Sequence, residues 1–201
     1  MKQLKLENTS NKLFLMAREL YEAAFPLDER RSEDARARVM MNPKYNFDII
    51  INNNEFIGFL LWWDFKTLRY IEHFATTPQQ RNRGFGKLIL EKFMKSIDKP
   101  ILLEVELPNS NINQQRINFY ERTGFKLNQH YYELHPAHEG HLPVQLLLMS
   151  YPNFLSAEDV KRFIKKCHPG ASASVTLAPT KVISVALYNE GVFNFVSRTL
   201  S

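Results

Sequence analysis

Residues Phe74–Leu90, FATTPQQRNRGFGKLIL, constrain this chain more than any other stretch. They read as a strand end, a short turn, a glycine-rich loop and the opening of a helix. The strand end is Phe74-Ala75-Thr76, Pro78 punctuates the turn, and the loop is Arg81-Asn82-Arg83-Gly84-Phe85-Gly86. From Lys87 the apolar residues Leu90, Phe93, Met94 and Ile97 fall on one helical face. A glycine-rich loop that opens a helix gathers unpaired N–H groups and the positive end of the helix dipole at one spot. Gly84 and Gly86 let an anion approach the backbone, and Arg81, Arg83 and Lys87 add charge. The stretch reads as a phosphate or pyrophosphate cradle. An ordinary strand-to-helix connection is the plain alternative.

Two familiar cradles are excluded. A Walker loop needs a hydroxyl after Gly86-Lys87, where the chain has Leu88. The dinucleotide fingerprint needs a third glycine at position 89, which is Ile89. What remains is R-x-x-G-x-G between a strand and a helix.

The rest of the chain supplies the frame. Lys2–Glu7 reads as a strand. A helix follows, with Leu13, Met16, Leu20, Tyr21 and Ala24 as its stripe, capped from Asn8-Thr9-Ser10 and ended by Pro26. A charged helix over about 31–41 turns Ala35 and Val39 inward, and the run ERRSEDARAR reads as a solvated face. Phe47–Ile51 and Phe56–Trp63 form a hairpin about Asn52-Asn53-Asn54, and Thr67–Thr76 adds a third strand of the meander. Trp62 and Trp63 point to opposite faces. After the loop helix come a strand (Ile101–Leu107), a helix stopped by Gly124, and two strands (Phe125–Tyr132, Val144–Ser150). LHPAHEGH joins the last two. Beyond Pro152, residues 153–201 read as an appendage: a helix over about 157–166, then a stretch from Gly170 poor in charge, with Val182–Leu187 and Val192–Val196 as a hairpin or a tail.

Composition narrows the class. The chain has 201 residues, a net charge of +5 and one cysteine, Cys167. One domain, or one with an appendage, fits that length. The modest positive balance suits an anionic ligand, and its scatter does not call for nucleic acid. A lone cysteine rules out an internal disulfide framework. No signal-peptide core and no membrane-length apolar run is present, so a cytoplasmic protein without membrane association is expected.

A second motif lies at Asn113–Phe125, NQQRINFYERTGF. Taken with Arg81–Gly86, one strand upstream, it resembles the GNAT family of N-acetyltransferases, over roughly residues 1–150. The resemblance implies an α+β GNAT fold: a mixed, mostly antiparallel sheet of about seven strands, splayed between strands four and five and flanked by about four helices. It implies a catalytic domain over 1–152, acetyl-CoA as co-substrate, no metal, and direct transfer to a small-molecule or peptide amine, with room for a homodimer. On the same basis, backbone groups of Phe74, Ala75 and Thr76 would hold the pantetheine arm, with the Phe74 N–H near the thioester oxygen. Arg81, Asn82, Arg83, Gly84, Phe85, Gly86 and Lys87 would take the pyrophosphate, and Asn113 a pantetheine amide.

Amine acetylation needs a neutral amine, a polarised carbonyl and a proton for the departing thiolate. Tyr120, at the motif's tyrosine, is the expected acid, since a phenol stays protonated at neutral pH. Glu72 is the expected base, placed by two-residue alternation on the same face as Tyr70 and Phe74. Glu104 and Glu106 are alternatives, and so is His73, expected on the opposite face. Arg116 is a candidate for contact with CoA phosphate. His135, His138 and His141 do not make a zinc set and read as loop residues or acceptor contacts. A CoA-binding module without chemistry and a nucleotide-phosphate enzyme are the competing classes.

Overall fold

The computed structural model describes residues 1–96, 98–134, 144–167 and 175–177. Strand β1 (Lys2–Lys5) pairs antiparallel with β2 (Tyr45–Asn52), and helices α1 (Lys12–Ala24) and α2 (Glu33–Met40) lie between them in sequence. β3 (Glu55–Asp64) and β4 (Arg69–Thr76) complete an antiparallel meander. Helix α3 (Phe85–Lys95) carries the chain across to β5 (Ile101–Glu106), which runs parallel to β4. Helix α4 (Asn111–Arg122) leads to β6 (Lys126–Leu134), and β7 (Val144–Tyr151) inserts between β5 and β6. Helix α5 (Ala157–Cys167) and a short β8 (Val175–Leu177) follow. The sheet order is β1-β2-β3-β4-β5-β7-β6-β8, one strand more than the seven expected, because β8 pairs with β6. The hairpin read at 182–196 and residue Ile97 lie outside the described residues.

Local chemistry accounts for the turns. Asn53 and Asn54 take φ of 49° and 66°, the double left-handed step that a two-residue hairpin needs. Gly124 ends α4 with φ 101°, its N–H donating to Glu121 O at 2.9 Å. The cap of α1 is Asn11 rather than the residues before it: its side chain accepts from the Leu13 N–H at 2.9 Å.

Two apolar layers sandwich the sheet. On one face Leu90, Phe93 and Met94 of α3 and Ile117 and Tyr120 of α4 cover Leu60, Trp62, Ile71, Leu103 and Val105. On the other, α1 and α2 cover Phe47, Ile49, Phe59, Leu61 and Ala75, and α5 covers Tyr70, Leu102 and Leu148. Trp62 is buried on the first face, and the half-buried Trp63 packs on the second. In α2 the fully buried residues are Arg36 and Met40, one position beyond the expected Ala35 and Val39. Arg36 is tolerated there because its guanidinium stacks 4.5 Å from the centre of the Tyr21 ring and donates to the Arg31 carbonyl at 3.3 Å. Asn128, buried between β6 and β7, donates to Leu148 O and Ser150 Oγ and accepts from the Leu155 N–H, which fastens the start of α5 to the sheet. Among the described residues no helix is long and apolar enough to cross a membrane.

Candidate active site

The site is built on a divergence in the sheet. β4 and β5 pair only at Arg69↔Ile101, Tyr70↔Leu102 and Ile71↔Leu103. Beyond that rung β4 stays with β3 as far as Thr76, and β5 stays with β7 as far as Glu106. The Thr77 N–H donates to Ile57 O at 2.9 Å, so the alternation of the ladder turns Ala75 and His73 toward β3. The N–H and C=O groups of Phe74 and Thr76 therefore face the gap. An extended polar chain laid in the gap would find strand-like partners there.

The glycine-rich loop closes the far end of that gap. Asn82 (φ 59°) and Gly84 (φ 80°) turn the chain left-handed, and Gly84 caps α3. The Arg81 N–H bonds Pro78 O, and the Leu88 N–H bonds Gly84 O. Between them the six N–H groups of residues 82–87 donate to no acceptor among the described residues. This run, at the positive end of α3, is what a diphosphate requires. A Cβ on Gly84 would meet nothing within 4 Å, so the space above it is open. Gly86 has a different reason to be glycine: its Cβ would stand 3.2 Å from the Phe119 ring and 3.9 Å from that of Phe74. There β4, α3 and α4 converge. Of the loop cations, Arg83 bonds Gln80 at 2.7 Å, Lys87 lies 3.7 Å from Glu91, and the exposed Arg81 has no ion partner among the described residues.

Helix α4 supplies the opposite wall. Asn113 is buried, its amide N–H₂ donating to Leu107 O (3.0 Å) and Asn109 Oδ1 (3.2 Å). Both donors are thus committed to the loop after β5, which leaves the amide oxygen to accept. The Tyr120 ring is buried against Phe119 and Phe125, and burial pushes its phenol up to about 12, against a small opposing pull from exposed Arg116. Its hydroxyl makes no hydrogen bond among the described residues.

Glu72 shares a face with Tyr70, as expected, but not with Phe74, and His73 joins it instead of facing the other way. Leu61 pairs with His73 and Trp62 with Ile71, so Glu72 is an extra, bulged residue with no partner on β3. The bulge cancels the two-residue alternation. Phe74 points to the α3/α4 face, whereas Glu72 and His73 both point to the α1/α2 face, where Tyr70 also lies. His73 sits edge-on to Tyr21 (5.0 Å) and Phe25 (4.5 Å). Glu72 is held in an ion pair with Arg31, which reaches across from the connection between α1 and α2. Burial alone would raise the Glu72 carboxyl, but the adjacent His73 and the Arg31 charge outweigh it and hold it at about 2. His73 Nδ1 is 3.9 Å from Glu72 Oε2, too far for a formed hydrogen bond.

Glu104 and Glu106 do share a face of β5, the same one as Glu72, and the Tyr70 hydroxyl donates to Glu104 at 2.5 Å. Glu72 and Tyr120 therefore stand on opposite faces of the sheet. His135, His138 and His141 lie outside the described residues. Sequence reasoning missed Arg31, whose run looked like a solvated face, and Gly58, whose only signal was a glycine inside a strand pattern.

This architecture has known counterparts. A family model for the acetyltransferase (GNAT) domain matches residues 43–127. A putative GNAT-family acetyltransferase from Bacteroides thetaiotaomicron is 34% identical, covers 84% of this chain and 96% of its own, and superposes with a TM-score of 0.76. The chain belongs to the GNAT family of acetyltransferases. Two more distant structures share the fold. One is the ribosomal-protein-S18-alanine N-acetyltransferase from Escherichia coli (20% identity, 77% of this chain and 95% of that one, TM-score 0.55). The other is a GNAT acetyltransferase from Elizabethkingia anophelis with acetyl-CoA bound (14%, 74% and 95%, 0.53). Among curated proteins none matches the sequence.

Proposed function

We propose that this protein is an acetyl-CoA-dependent N-acetyltransferase that acetylates a primary amine by direct transfer. The observation that carries the reading is the run of six unpartnered N–H groups at residues 82–87, set at the open end of the β4–β5 gap. Bound acetyl-CoA would supply the acetyl group as an activated thioester. Asn82–Lys87, with Arg81, hold the diphosphate. The backbone groups of Phe74 and Thr76 line the arm of the cofactor, those of Ala75 between them being held by β3, and Asn113 Oδ1 accepts from one of its amides. The Phe74 N–H polarises the carbonyl that is attacked. Tyr120 Oη donates a hydrogen bond and then its proton to the departing sulfur, and it is reprotonated by the proton that the amine nitrogen releases as the amide forms. A phenol held near 12 keeps that proton at neutral pH. The acceptor, a small-molecule or peptide amine, enters from the α1/α2 face near Glu72.

A free-thiol assay with acetyl-CoA tests this across polyamines, aminoglycosides, amino acids and peptide amino termini. Turnover that needs both partners is expected. Binding of CoA without turnover on any amine favours a non-catalytic CoA-binding module. Stabilisation by ATP or NAD but not by CoA, seen as a thermal shift, would remove the reading altogether.

A further inference from the structure

The β4 bulge does something a regular strand cannot: it turns two consecutive residues, Glu72 and His73, to one face. It does so one step past Ile71↔Leu103, the last rung before the gap opens. Both facing atoms of the pair, Glu72 Oε2 and His73 Nδ1, are sealed from solvent and have no hydrogen-bond partner. A buried ionised carboxylate oxygen demands a donor, and His73 Nδ1 is 3.9 Å away. The other carboxylate oxygen, Oε1, is already taken by Arg31. Nδ1 is sealed, and the His73 side chain as a whole keeps 10% of its surface exposed.

We infer that Glu72 and His73 form a carboxylate–imidazole dyad, with His73 Nε2 as the base that deprotonates the acceptor amine and Glu72 as its positioning residue. A small rotation of the ring closes the remaining distance to a hydrogen bond. Glu72 then holds the proton on Nδ1, which leaves the Nε2 lone pair to act. In the step itself one N–H bond of the bound ammonium breaks, an Nε2–H bond forms, and the amine nitrogen keeps the electron pair for attack. The imidazolium stands beside the Glu72 carboxylate and returns its proton to solvent after the transfer. Glu72 itself is a poor acceptor for that proton, since it is paired with Arg31 and ionised far below neutral pH.

The charged and titratable groups around the dyad come from several elements. Tyr21 of α1, Arg31 of the α1–α2 connection, Arg36 of α2 and Tyr45 of β2 face it from one side. Tyr70 and Glu104 stand at the apex of the gap. The phenols of Tyr45 and Tyr70 are pushed well up, by burial first and nearby carboxylates second, and so remain neutral while the dyad works.

This inference rests on the acetyltransferase reading, and its test has two parts so that the two can fail separately. The first needs no turnover: ¹H–¹⁵N imidazole spectra of the full chain at a pH where the ring is neutral. Wild type is expected as the Nδ1–H tautomer, and Glu72→Gln should shift the population toward Nε2–H. A wild-type ring in the Nε2–H form overturns the dyad whatever the activity. The second is the pH profile of kcat/KM with the best amine of the thiol assay. His73→Gln should lower kcat/KM about 10²-fold at neutral pH. The loss should shrink as rising pH deprotonates the free amine, and CoA affinity should be unchanged. An unchanged profile in a folded His73→Gln protein, beside an active wild type, removes His73 as base and leaves the acetyltransferase reading intact.

Discussion

A Cβ placed on Gly58 would stand 2.1 Å from the carbonyl oxygen of Ala75 and 2.9 Å from the Cα of Thr76. Any side chain at this position of β3 would thus collide with β4 where β4 lines the gap. The contact is with backbone, which cannot rotate away as a side chain can. Gly58→Ala should cost at least about 2 kcal/mol in chemical denaturation and weaken CoA binding by displacing residues 74–76. A variant within about 0.5 kcal/mol of wild type would show that the close approach has no such role.

The two loop glycines should respond differently. Gly84 sits at φ 80° in open space, so Gly84→Ala carries only the left-handed penalty, about 1–2 kcal/mol. Gly86 has no such angle, and a Cβ there meets the edge of the Phe119 ring at 3.2 Å, a side chain that can shift a few tenths of an ångström. Gly86→Ala should be the milder change in thermal stability but should disturb the junction of Phe74 and Phe119. The reverse order in melting temperature would contradict this account of the loop.

The Arg31–Glu72 pair predicts a signed pH dependence. The Glu72 carboxyl titrates at about 2 in the folded chain, below its ordinary value of about 4.3. A depressed carboxyl stabilises the fold above the ordinary value, and that contribution disappears as pH falls from about 4.3 to about 2. Its full size is on the order of 3 kcal/mol, shared between His73 and Arg31, and Arg31→Met should remove the Arg31 share at pH 7. The stability gap between wild type and Arg31→Met should therefore narrow in urea melts taken below pH 4.3. A gap constant from pH 7 to pH 3 would show that Arg31 acts through packing alone.

Tyr120→Phe keeps the ring contacts with Phe119 and Phe125 and removes only the hydroxyl. The expected result is a loss of about 10²-fold in kcat with little change in KM for acetyl-CoA. In the wild type, the phenol held near 12 should not produce a fall in rate below about pH 10. Unaltered kcat in the variant would take the acid role away from Tyr120.

Much of this was legible in the residues. The loop, its helix and the Asn113–Phe125 motif declare themselves through glycine spacing and helical periodicity, which are local signals. The bulge at Glu72 does not. It depends on the register between β3 and β4, a relation between residues on different strands, and one unpaired residue put His73 on the face of Glu72 and Phe74 on the other. Arg31 was hidden for a similar reason: a charged run reads as solvated until the fold supplies a buried partner for one of its members. Gly58 carried a weak local sign, but the strand it must admit lies across the sheet.

The central claim is that residues 82–87 and the β4–β5 gap form the acetyl-CoA site. A backbone amide titration, following ¹H–¹⁵N signals as acetyl-CoA is added, tests it most directly. The largest shifts should fall on Asn82–Lys87 and on Phe74 and Thr76, and they should saturate together. Saturable binding that leaves those amides unmoved, or no binding at all, would contradict it.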